Sequence, residues 1–266
     1  MGWKDAITYA RASLASHGVE AAKVEVRADD ELPFKMRIGS LLTLQLNPFV
    51  TAEIGGSIMT TPQQAMTIKA ISRLRLDMAG QIFRAYVSTG DKDDKNEVFL
   101  QLYVGTSGEV EEAMYCTRLT RFYPETAEDQ ANFTGESGVG LGQKTYALSS
   151  DQLIDLGLAP SLVKVVCGEA GQLEYTRSTG GSELEYVPPF VGTESRVDDA
   201  TGDSGLTQSV YFMPYARSIG LDGMTSEHLL ISCETVASID GDASKREIHV
   251  DFMVGLTLDK ERFTIQ

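Results

Sequence analysis

The sequence predicts a mainly antiparallel β-protein (α+β), with a few short helices and an amphipathic helix at its N-terminus. Three observations carry the prediction. Stretches rich in Val, Ile, Leu, Tyr and Phe follow one another through most of the chain, as in "QIFRAYVS" and "EVFLQLYVG". Their apolar residues recur at period two. Between them stand Gly, Asp and Ser turn signals rather than the long helical crossovers that a parallel sheet requires.

The first segment is helical in period. Trp3, Ile7, Ala10 and Leu14 fall at i, i+4, i+7 and i+11, one stripe of a helix over residues 1–18, with His17-Gly18 as its C-cap. Residues 19–31 carry mixed charge and few bulky apolar groups, which reads as a linker. A β-rich domain over 32–266 follows, either as one unit or as two fused subdomains with the break near 125–170. In "KMRIGSLLTLQL" the residues Met36, Ile38, Leu42, Leu44 and Leu46 share one face. "MTIKAISRLRL", "QIFRAYVS", "EVFLQLYVG" and "EEAMYCTRLTRFY" continue the pattern, and "VSTGDKDDKNEVF" reads as a hairpin loop between two of them. Helices interrupt at "PETAEDQANF" and "SSDQLIDLGL", the second capped by Ser149 or Ser150. Residues 177–208, rich in Gly, Ser, Thr and Asp, read as a long irregular excursion. "SVYFMPYARS", "HLLISCETVAS" and "REIHVDFMVGLTL" close the chain, the last two joined by a turn at Asp240-Gly241. Barrel and sandwich packing fit this pattern equally.

Bulk properties exclude several function classes. Thirty-eight acidic residues against 23 basic ones give a net charge of −15 and a pI near 4.6 over 266 residues. Such a chain is repelled by phosphate backbones, so nucleic-acid binding is disfavoured. Cys116, Cys167 and Cys233 are isolated, as buried thiols in a reducing compartment are. With Asp5 and Arg11 in the leading segment and no apolar run long enough to span a bilayer, the expectation is a cytoplasmic protein without membrane insertion.

The nearest approach to a catalytic motif is "GVGLGQKT". Gly138, Lys144 and Thr145 stand at phosphate-loop offsets, but Gln143 occupies the place of the second glycine. Neither a buried strand before it nor a long helix after it is legible, so it reads as a glycine-rich connection. His249 and Asp251 share a face of "REIHVDFMV", opposite the apolar Ile248, Val250, Phe252 and Val254, and the expected outcome is that the polar pair is solvated. The acidic runs "DKDD" and "DDATGD" lack calcium-loop spacing. Glu111 and Glu112 are a conceivable acid–base pair. No catalytic, cofactor-binding or metal-binding residue is therefore expected; the candidate binding residues are Trp3, Ile7, Ala10 and Leu14, as a partner-binding stripe.

"LPFKMRIGSLLTL", "TRFYPETAED", "EYVPPFVGTE" and "REIHVDFMVGLTLD" resemble, in this order, the YjfK-like family of bacterial proteins, over roughly residues 30–262. The resemblance implies a genomic setting beside a phage-shock protein A homologue and an ATP-grasp ligase similar to glutathionylspermidine synthetase. It thereby implies an accessory role in envelope stress or in peptide or polyamine conjugation, with either neighbour as a protein partner. It transfers no catalytic residues. The alternatives are an enzyme acting on a cationic small molecule through clustered carboxylates, and a self-assembling structural protein.

Overall fold

A computed structural model describes residues 27–88, 97–220, 223, 225–238 and 247–266. The expected N-terminal helix, with Trp3, Ile7, Ala10 and Leu14, lies outside the described residues. The elements run β1 (Leu41–Leu44), α1 (Asn47–Ile54), β2 (Ala65–Leu76), β3 (Gln81–Ser88), β4 (Val98–Val104), β5 (Val110–Phe122), α2 (Ala127–Thr134), β6 (Thr145–Ser149), α3 (Ser150–Asp155), α4 (Pro160–Cys167), β7 (Gln172–Arg177), β8 (Phe190–Val197), β9 (Gly205–Ile219), β10 (Thr225–Ser238), β11 (Glu247–Leu258) and β12 (Phe263–Ile265).

The protein is mainly β, and its sheet closes. Strands β2 to β5 form a meander, β5 pairs with β11, and β11, β10, β9 and β8 pair in turn. Because β8 also pairs with β2, through Ile71↔Val197 to Leu76↔Gly192, eight antiparallel strands make a barrel without free edges. The sandwich alternative is thereby excluded. The short β12–β1 pair extends the sheet beyond β2, and β6–β7 extends it beyond β9.

Strand β8 lies inside the stretch expected to be irregular. Its "VGTESRV" is small and polar, so it lacks the apolar alternation of a strand. Its identity comes from two neighbours rather than from its own side chains. A Cβ at Gly192 would run into the Arg75 carbonyl, so this close pairing requires a glycine. The one-faced run expected over Met36 to Leu46 is shorter than its pattern, with only Leu41–Leu44 in the ladder. Gly39 takes φ 93°, and the Ile38 amide donates to the Asp29 carboxylate at 2.7 Å instead of to a strand. Ser149 caps α3, accepting from the Gln152 amide while Gln152 reaches back to the Ser149 amide. The helices α1 and α4 open on Pro48 and Pro160, whose first-turn position needs no amide donor.

Two apolar clusters divide the core. The larger lies on the outer face, where Leu229, Ile231, Val250, Phe252 and Val254 pack beneath α1, α3, α4 and the flanking strand pairs. The smaller draws Ala70, Leu74, Tyr86, Phe99, Met114, Phe212, Leu230 and Met253 from around the barrel and fills part of its lumen. Two bulges set which residues face inward. One between Ile68 and Ala70 turns Ala70, Ser72 and Leu74 into the lumen. The other, at Leu119, puts Arg118 and Arg121, three apart, on the same inner face opposite Met253 and Asp251.

Of the expected linker, residues 27–31 are described, and Asp29 ties them to the body. Its buried carboxylate accepts two hydrogen bonds from Arg27, at 2.8 Å each, and one from the Ile38 amide. Burial pushes the Asp29 carboxyl up, but the Arg27 and Ile38 hydrogen bonds and the Arg27 charge outweigh it and hold it below its ordinary value. A depressed carboxylate contributes stability above its unfolded-state pKa of about 4 and loses it as pH falls through the folded value. Asp29→Asn is therefore expected to lower the melting temperature by about 3 °C at pH 7. The difference from the parent protein should shrink as the pH falls below the unfolded-state value of about 4, as read by thermal melts at pH 7 and at acid pH.

Candidate functional site

One end of the lumen is apolar; the other holds charge. At the charged end, Arg84 of β3 is completely buried and sits in the middle of the barrel wall's polar residues. Its Nη1 donates to Glu194 of β8 at 2.9 Å, its Nε donates to Gln101 of β4 at 3.1 Å, and its guanidinium lies over the Phe99 ring. Glu194 also accepts from the Ser72 and Tyr86 hydroxyls and from the Gln208 amide. The Arg84 Nη2 has no hydrogen-bond partner among the described residues.

Beside this pair, three acid-base groups converge from β10 and β11. Register places Glu234 opposite His249 and Ser232 opposite Asp251, and alternation turns all four inward. The His249 Nε2 lies 3.2 Å from the Glu234 Oε2 and 3.8 Å from the Asp251 Oδ2. One donor atom from each of the three residues lies within 4.8 Å of the other two, and all three side chains are buried. The two carboxylates have further partners. Ser232 donates to Glu234 at 2.7 Å, and Arg121 holds Asp251 through two bonds of 2.7 Å. The His249 Nδ1 stands 3.2 Å from the exposed Glu247, off the hydrogen-bond line, and is otherwise unpartnered among the described residues.

Electrostatics at this end are uneven. Burial pushes the Glu234 carboxyl up; the His249 hydrogen bond offsets this in part, and the Glu194 and Asp251 charges reinforce it. Burial also pushes Glu97 up, but Arg196, Arg118 and Arg121 together bring it below the ordinary range. Those guanidiniums reach the Glu97 carboxylate at 2.9, 3.0 and 3.5 Å. A cavity of about 50 Å³ lies among Arg84, Glu97, Glu234, His249 and Asp251. That is room for about three or four water-sized groups.

The arrangement corrects the expectation that His249 and Asp251 are solvated. They do share a face opposite Ile248, Val250, Phe252 and Val254, but that face is the lumen, and His249 is only 1% exposed. The apolar face is covered by the outer layer. Glu111 and Glu112, by contrast, are exposed at the opposite end of β5 from Arg118 and Arg121 and meet no third group of this kind among the described residues.

The other sequence candidates are absorbed by the fold. "GVGLGQKT" leads into β6 rather than a helix; Gly140 and Gly142 take φ 82° and 110°, and the Gly142 amide donates to the Tyr215 hydroxyl. In "DDATGD" the Asp199 carboxylate is occupied by Thr201, Gly202, Asp203 and Ser204 of its own loop. Cys116, Cys167 and Cys233 are buried and free, and burial with the Glu234 charge pushes the Cys233 thiol up to about 11. No helix among the described residues is long and apolar enough to cross a membrane.

Comparison of the chain with family models, with curated proteins and with solved structures returned no match. The resemblance to the YjfK-like family thus rests on its motifs alone, and function must be argued from the site.

Proposed function

We propose that this protein binds a divalent first-row metal ion at Glu234, His249 and Asp251, with a coordination position left open for a ligand, as in metal-assisted hydrolysis. The observation that carries the reading is the spacing of the three donors. Two ligands about 2.1 Å from one tetrahedral ion lie about 3.4 Å apart, close to the 3.2 and 3.8 Å separations from the His249 Nε2. The outer partners fit as well. Ligating carboxylates are commonly hydrogen-bonded themselves, here by Ser232 and Arg121, and the other imidazole nitrogen has the Glu247 carboxylate 3.2 Å away, though without a hydrogen bond. Arg121 weakens the charge of Asp251 without using its lone pairs up, because each carboxylate oxygen accepts twice. One imidazole with two carboxylates suits Zn²⁺ or Mn²⁺. Three protein ligands leave a site open, and the bound ion would acidify a water held there.

Titration of chelator-stripped protein with Zn²⁺ and Mn²⁺ tests the reading. One tight ion per chain is expected. Substitution His249→Ala should abolish binding, while Glu247→Gln, which removes only the outer carboxylate, should weaken it about tenfold. Absence of a stoichiometric ion, or equal affinity in all three proteins, would sink it.

A second reading, the accessory protein that binds a phage-shock-type coiled coil or an ATP-grasp ligase, is favoured by two exposed apolar side chains. Ile54 at the end of α1 is 84% exposed and Val165 of α4 is 74% exposed, and the turn that follows α1 lies near α4 at Gly56 and Val166. Co-purification of such a partner with the parent protein but not with an Ile54→Glu, Val165→Glu variant would support it. Recovery of the same partner with both would not.

A further inference from the structure

We propose that the open position of the ion takes a small oxyanion, such as a phosphate or carboxylate group, and that Arg84 holds it; this rests on the metal reading above. The motivating atom is the Arg84 Nη2. Among the described residues it is a buried donor without an acceptor, on a side chain whose other two donor nitrogens are already engaged by Glu194 and Gln101. Such a donor costs free energy while unmet. Arginine cannot relieve it by losing a proton. The remaining remedy is an acceptor oxygen in the cavity that Arg84 shares with Glu234, His249 and Asp251.

Charge favours an oxyanion over a neutral oxygen there. Arg84 is balanced by Glu194 and Arg121 by Asp251, so a divalent ion beside Glu234 adds positive charge to the cavity that these residues line. The same cavity already accommodates one oxyanion of the chain's own, the Glu97 carboxylate, in a cradle of Arg118, Arg121 and Arg196. An incoming ligand would thus coordinate the ion through one oxygen and accept a charge-assisted hydrogen bond from the Arg84 Nη2 through another. A cavity of about 50 Å³ favours a ligand that projects a compact head group inward over a bulky one.

The test uses Co²⁺ as the probe ion, because its visible spectrum reports on its ligands. Full-length protein loaded with Co²⁺ is titrated with inorganic phosphate and, separately, with acetate. A saturable spectral change with either anion is expected, and the preferred anion identifies the head group. In Arg84→Lys, which keeps the charge toward Glu194 but lacks the Nη2, Co²⁺ affinity should be unchanged and anion affinity at least tenfold weaker. A Co²⁺ spectrum that ignores both anions, or equal anion affinity in Arg84→Lys, overturns the inference and leaves the metal site standing. Failure of Co²⁺ to bind overturns both. Should Arg84→Lys not fold, metal-loaded wild-type crystals soaked in phosphate give the same decision: an oxygen within hydrogen-bond distance of the Arg84 Nη2 supports it, and an empty or differently placed density overturns it.

Discussion

Replacing Glu227 with alanine is expected to destabilise the protein by about 3–5 kcal/mol, a drop of about 10 °C in melting temperature. Glu227 of β10 lies on the outer face, completely buried, where the layer of helices and flanking strands meets the barrel. One oxygen accepts from the Tyr175 hydroxyl and from the Arg217 Nε, both at 2.7 Å. The other accepts from the Ser57 hydroxyl at 2.5 Å and from the Ile58 amide at 2.8 Å. One carboxylate thereby fastens the segment after α1, strand β7 and strand β9 to β10. Its loss leaves the Arg217 charge, two hydroxyls and a backbone amide without their acceptor in the interior. Glu227→Gln, which keeps the shape and one acceptor oxygen, should cost less than half as much. Chemical denaturation of the three proteins reads the order directly; a Glu227→Ala cost under 1 kcal/mol would show that the layer is held by apolar packing alone.

Glu234→Gln is expected to act in opposite directions with and without metal. In chelator the substitution should leave stability unchanged or raise it, because Glu234 is a buried carboxyl beside Glu194 and Asp251, pushed up by burial and by their charges. An isosteric amide removes that repulsion and keeps its oxygen for the Ser232 hydroxyl. With Zn²⁺ or Mn²⁺ at a hundred times the dissociation constant, the parent protein should gain about 2.7 kcal/mol and the variant little or none. The order of the two melting temperatures therefore reverses on adding the ion. A variant that is less stable by the same amount in both conditions would make Glu234 a structural residue.

What the sequence discloses about this fold depends on how much of each strand's environment is written in its own residues. Strand β3 is legible to the residue, since Gln81–Ser88 is apolar enough to mark a strand buried on both sides. Strand β8 is not, because small polar residues and Gly192 suit a strand squeezed between β2 and β9 only when those neighbours are known. The site shows the same limit. Period two correctly puts His249 and Asp251 on one face, but periodicity names which residues share a face and never which face is inside. In a closed barrel both faces can be buried, so the apolar set of Val250, Phe252 and Val254 gave no warning that the opposite face was a lumen. Glu234 could have been reached. Counting outward from a turn expected at Asp240-Gly241 pairs it with Glu247, two residues from its actual partner His249 and on the same face. Arg121 could not, because its inward direction depends on the bulge at Leu119, which leaves no mark in composition. Arg84 and Glu194, 110 residues apart in the chain, meet only because β8 closes the barrel.

The central claim is that the charged end of the lumen is a metal centre, and anomalous diffraction from crystals grown with Zn²⁺ tests it most directly. The predicted result is a single strong peak about 2.0–2.2 Å from the Glu234 carboxylate, the His249 Nε2 and the Asp251 carboxylate, with a further ligand on the lumen side. A lumen without anomalous density, or peaks confined to exposed carboxylates such as Asp198 and Asp203, would contradict it. The buried acids and arginines would then be a structural ion network with no ion to hold.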